Sequence, residues 1–145
     1  MQWTQDLSTG LDDVDEQHRE LIDRINGLVA AIKQSVCRQT IGGVIQFLED
    51  YIGFHFGLEE EKMKRSGYPG FEHHRSQHDS FVRAFAELKG ELLKLEGGKK
   101  PGSYDLSVAT NQVVVDWILD HIRKTDRAFG DFLRNKEAAP RRGLP

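Results

Sequence analysis

The stretch FEHHRSQHDSFVRAF, residues 71–85, decides how this chain folds. Phe71, His74, His78, Phe81, Val82 and Phe85 recur in steps of three and four, and the run continues through Leu88, Leu92 and Leu95. That period lines them up along one stripe of a helix, and such a stripe faces a core. Two members are histidines where the period calls for Leu or Ile. A polar ring in a core stripe is costly unless its nitrogens are satisfied. His74 and His78 are four residues apart, so one ring lies a turn above the other on the same face. That spacing suits a shared metal ion.

The neighbouring segments repeat the pattern. Upstream, Ile41, Val44, Ile45, Leu48, Tyr51, Ile52 and Met63 frame His55 and Glu59, again four apart. Before them, Leu11, Val14, Leu21, Ile22, Ile25, Leu28, Val29, Ile32 and Val36 form a stripe broken once, by His18. Downstream, Leu106, Ala109, Val113, Val114 and Trp117 lead to His121, with Phe129 and Leu133 beyond. Asp12 and Asp13 are candidate caps for the first helix, Thr40 for the second and Ser103 for the fourth. Ser66-Gly67-Tyr68-Pro69-Gly70 ends the second helix, with Gly67 suited to the position just past its terminus. Residues 97–102 read as a loop. No segment alternates with period two. The expected fold is all-α: an up-down-up-down antiparallel four-helix bundle with an N-terminal arm. It forms one domain over residues 1–137, and residues 138–145 form a flexible C-terminal tail.

Composition sets the outer bounds. A chain of 145 residues is long enough to bury a single core. With 38% apolar and 30% charged residues it has the make-up of a globular protein rather than a disordered one. A net charge of -3 leaves no electrostatic footprint for nucleic acid, and Arg141-Arg142 is too short a cluster to change that. The first residues lack the basic and apolar regions of a signal peptide. No apolar run approaches the ~20 residues of a membrane span. A single cysteine, Cys37, rules out an internal disulfide and suits a reducing compartment. The expectation is a cytoplasmic protein, a monomer or a weak homo-oligomer.

Taken one at a time, each histidine has an ordinary explanation as a hydrogen-bonded core residue. Together, His18, His55, Glu59, His74, His78, His121 and Asp126 place imidazole and carboxylate, the ligands that iron and zinc favour, on four helices at a comparable depth. Seven ligands are too many for one octahedral ion. Two metals sharing the carboxylates as bridges is the economical reading. His73 falls on another face of its helix and reads as a surface residue; Glu60 and Glu61 read as solvated. His121 and Asp126 are five residues apart, about 500° on a regular helix, which leaves their side chains roughly 140° apart. A π-type bulge between them would restore alignment, so a local widening is expected there.

With these residues in place, the chain resembles the hemerythrins, and in particular single-domain bacterial members of that family. The resemblance runs from Trp3 to about Leu133. It rests on Asp15-Glu16-Gln17-His18, His55-Phe56 with Glu59-Glu60 and Met63, Gly67-Tyr68-Pro69, His74 with His78, and Trp117 ahead of His121-Ile122 and Asp126. It implies a non-heme centre of two iron ions with a bridging oxo or hydroxo group. One iron would take His74, His78 and His121, the other His18 and His55, with Glu59 and Asp126 bridging. It also implies that dioxygen binds on the two-histidine side, in a dry pocket walled by Leu21, Phe56, Trp117, Ile118 and Ile122. Apolar walls keep out the water and protons that would spoil a reversible exchange.

Two classes of function compete. Reversible dioxygen binding, for storage, delivery or sensing, is the first. The alternative is a di-iron oxidase or peroxidase, or nitric oxide scavenging, at the same site. Di-iron enzymes on four-helix scaffolds draw on four carboxylates and paired E-x-x-H motifs. This chain offers five histidines, two carboxylates and no such pair on its stripes, so the expectation is a binding protein and not an enzyme.

Overall fold

The computed structural model describes residues 1–34, 38–94 and 109–138. Four helices carry the chain: α1 (Asp12–Lys33), α2 (Arg38–Ser66), α3 (Phe71–Leu93) and α4 (109–138). α1 packs on α2 and α2 on α3, while α4 lies against both α3 and α1 and closes the bundle. The architecture is the expected all-α four-helix bundle, and the described residues include no strand. Cys37, the 97–102 loop, Ser103, Leu106 and residues 139–145 of the expected tail lie outside the described residues.

Core chemistry divides the bundle into two ends. Ile25, Leu28, Ile45, Leu48 and Leu92 are fully buried at the end formed by the close of α1, the start of α2 and the close of α3. Each such side chain contributes on the order of 1.5–3 kcal/mol by leaving water. The other end holds every histidine of the core. Apolar packing at one end thus positions polar groups at the other.

The helix ends follow local chemistry, with two departures from expectation. Gly67, at φ +66°, ends α2 through a Schellman motif. Tyr68 N–H donates to Met63 C=O at 3.0 Å and Gly67 N–H to Lys64 C=O at 3.2 Å. Thr40 is not a cap, because α2 already begins at Arg38. α1 is entered at Leu11 with no side-chain cap. Asp12, Asp13 and Asp15 occupy its first turn, where their charge complements the helix dipole.

The N-terminal arm is held by that turn. Asp15 is 6% exposed. It accepts hydrogen bonds from Thr9 N–H (2.8 Å), Thr9 Oγ1 (2.8 Å) and Ser8 Oγ (2.6 Å). Leu7 inserts into the core. The arm then lies directly on α4: a Cβ added at Gly130 would sit 2.3 Å from the carbonyl oxygen of Thr9. Only glycine permits that approach.

α4 is not a uniform α-helix. Two segments, Asn111–Asp116 and Ile122–Asp126, are π-helical and flank the short α-helical piece Trp117–His121. In the second, Arg127 N–H donates to Ile122 C=O, an i→i+5 bond. The widening expected between His121 and Asp126 is therefore present. The first π segment has no counterpart in the spacing analysis.

Candidate metal centre

All seven expected ligands converge inside the bundle, and none is more than 4% exposed. α1 supplies His18, α2 His55 and Glu59, α3 His74 and His78, and α4 His121 and Asp126. Their donor atoms form two groups that share both carboxylates: His74, His78 and His121 with Glu59 and Asp126, and His18 and His55 with the same two. The sharing is resolved oxygen by oxygen. Glu59 Oε1 faces His74 Nε2 (2.6 Å) and His78 Nε2 (3.3 Å), while Oε2 faces His55 Nε2 at 3.4 Å. Asp126 Oδ1 faces His74 Nε2 (2.9 Å) and His121 Nε2 (3.0 Å), while Oδ2 faces His18 Nε2 at 2.9 Å. Each carboxylate spans the two groups.

These separations look like ion pairs, yet they are not aligned as hydrogen bonds. Both oxygens of Glu59, both of Asp126, and Nε2 of His18 and His74 are buried without a hydrogen-bond partner. Unpartnered polar atoms are rare in a protein interior, and six in one spot require a cause. His78 Nε2 and His121 Nε2 also face each other at 3.2 Å. Ligands about 2.1 Å from one ion and at right angles to each other lie about 3 Å apart. The observed separations, 2.6 to 3.4 Å, scatter around that value. Donor set, burial and spacing all fit two first-row transition metals.

The other ring nitrogen explains the orientation of three imidazoles, while Nδ1 of His18 and of His74 is buried with no hydrogen-bond partner among the described residues. His55 Nδ1 donates to Gln17 Oε1 (2.7 Å), His78 Nδ1 to Glu60 Oε2 (2.9 Å) and His121 Nδ1 to Gln77 Oε1 (2.9 Å). With Nδ1 protonated, Nε2 presents its lone pair inward. Thr125 Oγ1 donates to the same Gln77 oxygen at 2.8 Å, and the amide nitrogen of Gln77 meets His73 Nε2 at 3.0 Å. His73 is exposed, as its helical face requires. Glu60 departs from expectation: it is bound to His78 across the α2–α3 interface rather than solvated. Sequence reasoning passed over Gln17 and Gln77 as well. A signal was available, because each immediately precedes a ligand histidine, giving the repeated pairs Gln17-His18 and Gln77-His78. Each glutamine serves a histidine on another helix, which spacing along one helix cannot reveal.

Electrostatics point the same way. Burial opposes charge on His74, but Asp126 and Glu59 beside it override this and raise its pKa to about 9. Burial likewise opposes charge on His18, and Asp126 again prevails, leaving its pKa raised. Burial dominates at His55, whose pKa falls to about 4. Asp126 stays well below the ordinary carboxylate range despite burial, through His121, His18 and His74. Glu59 is lowered too, its histidine neighbours outweighing burial and the charge of Asp126. Two buried carboxylates kept ionised make a site that demands positive charge. Without metal, protons on His74 and His18 supply part of it.

The residues expected to wall the dioxygen pocket are placed as follows. Leu21, Ile118 and Ile122 are each 1% exposed and Phe56 5%. Phe56 stacks on His78 (centroids 3.8 Å apart, planes at 5°), and Trp117 stacks on His121 (4.4 Å, 12°). Both aromatic rings therefore lie against the three-histidine group, and Phe56 is farther from its sequence neighbour His55, at 6.0 Å.

Comparison with known proteins places this geometry. Residues 9–133 match the model of the hemerythrin HHE cation binding domain. The bacteriohemerythrin of Stenotrophomonas maltophilia is 35% identical over 129 residues, covering 89% of this chain and 78% of that protein. The bacteriohemerythrin of Methylococcus capsulatus is 32% identical over 92% of this chain and 96% of its own. A crystal structure of wild-type hemerythrin superposes with a TM-score of 0.75 at 30% identity, covering 90% of this chain and 95% of that one.

Proposed function

This chain belongs to the hemerythrin family, and from that premise we propose that it binds dioxygen reversibly at a non-heme di-iron centre. The observation that carries the proposal is the pair of carboxylates whose separate oxygens face two distinct histidine groups. His74, His78 and His121 would hold one iron and His18 and His55 the other, with Glu59 and Asp126 shared between the two groups. A pair of ferrous ions held there would provide the reducing equivalents for reversible uptake of dioxygen. The two-histidine group offers one protein donor fewer, which would leave room for a small ligand.

The chain's own residues do the rest. Glu59 and Asp126 hold the two groups at a fixed separation from opposite helices, α2 and α4. Gln17, Glu60 and Gln77 hold three imidazoles in the tautomer that binds metal. Leu21, Phe56, Trp117, Ile118 and Ile122 exclude water, and in a dry site an exchange that leaves net charge unchanged is favoured over one that creates charge. Glu59, Glu60 and Asp126 all face imidazoles, so none of them is free to protonate a bound ligand. That arrangement supports binding rather than turnover. The single cysteine fits a reducing, cytoplasmic setting.

The test is a spectroscopic cycle on protein carrying about two irons per chain. Anaerobically reduced protein should gain a visible charge-transfer band in air and lose it when oxygen is removed, over repeated cycles and without peroxide release. Steady consumption of an added electron donor together with peroxide would instead establish an oxidase or peroxidase.

A further inference from the structure

The two donor groups of the metal centre are not equal. His74, His78 and His121 with Glu59 and Asp126 offer five side chains, whereas His18 and His55 with the same carboxylates offer four. The difference extends to what stands behind the imidazoles. On the five-donor side, His78 Nδ1 donates to a carboxylate, Glu60 Oε2, at 2.9 Å. His121 Nδ1 donates to Gln77 Oε1 at 2.9 Å, and Thr125 Oγ1 donates to the same oxygen at 2.8 Å. The Gln77 amide nitrogen meets His73 at 3.0 Å, so the carboxamide is tethered at both ends. On the four-donor side His55 has a neutral partner, the amide oxygen of Gln17, and His18 Nδ1 has none among the described residues. His74 Nδ1 lacks one too, which leaves two anchored rings of three against one of two.

An anionic acceptor behind an imidazole makes it a stronger ligand, and an anchored ring loses less freedom when it binds. Stacking holds the same two anchored rings further, Phe56 against His78 and Trp117 against His121. Charge then separates the two binding steps. The first dication meets both buried carboxylates and cancels their charge. A second, arriving about 3.5–4 Å away, finds that charge already spent and a cation beside it. Each group contains one imidazole whose pKa is raised, His74 in one and His18 in the other, so a proton leaves whichever group fills.

We propose that the metal centre assembles in order, the three-histidine group filling first and the two-histidine group second, with Glu60 and Thr125 as the positioning residues that set this order. The inference rests on the two-metal reading of the site and adds to it the order of occupation. Glu60 acts directly on His78, and Thr125 acts on His121 through Gln77.

Titration of metal-free protein with zinc(II), followed by the imidazole nitrogen resonances, tests the proposal. Up to one equivalent, the rings of His74, His78 and His121 should move to their bound positions while His18 and His55 keep theirs. The second equivalent should then move His18 and His55, with the first step tighter by about tenfold or more. Glu60→Ala should weaken the first step about 10–100-fold, and Thr125→Val should weaken it less, because it acts at one remove. Glu60→Gln and Thr125→Ser, which keep the hydrogen bonds, should recover most of the loss. His18 and His55 moving first, or both groups filling together with no one-zinc species, would overturn the order while leaving a two-metal site intact. A first step untouched by Glu60→Ala and Thr125→Val, or both steps weakened alike, would overturn the positioning role. Saturation at one zinc per chain, or none, would instead refute the two-metal reading on which the order rests.

Discussion

Adding metal to metal-free protein should release protons from His74, and the size of the effect can be worked out. Its pKa is held at about 9 by Asp126 and Glu59. At pH 7, two units lower, about one ring in a hundred is neutral and able to bind metal; at pH 9 about half are. If this proton alone competes, affinity for a redox-silent probe such as cobalt(II) should rise about fiftyfold between pH 7 and 9. An ordinary histidine of pKa near 6.5 is already mostly neutral at pH 7 and would give a rise of only about 1.3-fold. Competition with a chelator across that range measures the slope. NMR titration of the imidazoles in metal-free protein isolates His74 from any proton lost by bridging solvent. His74 titrating near 6.5 would refute the reasoning.

The same values fix the sign of stability against pH for the metal-free protein. His74, raised above its unfolded value of 6.5, contributes stability that is complete below pH 6.5 and is lost as pH climbs through about 9. His55, lowered to about 4, binds protons more readily when unfolded. Its contribution is present above pH 6.5 and is lost as pH falls through about 4, to the extent of about 3 kcal/mol. From these two residues, stability should be greatest near pH 6.5.

Gln77→Leu removes the acceptor for both His121 Nδ1 and Thr125 Oγ1 and should weaken metal binding about 10–100-fold; a chelator titration reads it, with helix content as the control. Gly130→Ala forces the arm off α4 and should cost about 1–3 kcal/mol by overpacking; thermal or urea melts measure the loss, and an unchanged midpoint would mean the arm yields freely. Ile118→Thr places a hydroxyl where Ile118 is 1% exposed. It should shorten the lifetime of the oxygenated form by admitting water, and an unaltered lifetime would show that Ile118 does not line the pocket.

How far the sequence reached depended on whether an interaction runs along a helix or between helices. His55 with Glu59 and His74 with His78 announce themselves, because four residues is one turn. The π segment at Ile122–Asp126 could be anticipated because His121 and Asp126 need to face one point and ordinary helix geometry keeps them apart. The π segment at Asn111–Asp116 could not, since no pair of functional residues brackets it. Glu60 shows the same limit: its bond to His78 crosses from α2 to α3, whereas its neighbourhood in sequence is a run of acidic residues that reads as surface. Thr9 on Gly130 is likewise a contact between distant parts of the chain, and a lone glycine near the end of a helix does not declare what lies against it.

The two π segments make α4 behave like a crankshaft. Its ends are held by packing, one by Ala109 and Thr110 ahead of the first π segment and the other by Phe129 and the arm over Gly130. The five residues Trp117–His121 are coupled to those ends through two widened turns. Their angular setting is thus decoupled from the packing on either side. Ile118, His121 and the indole stacked on it can be re-aimed together, by changing how each widened turn closes, while the load-carrying ends keep their seats. A bundle built this way can retune one quadrant of its interior without being rebuilt around it.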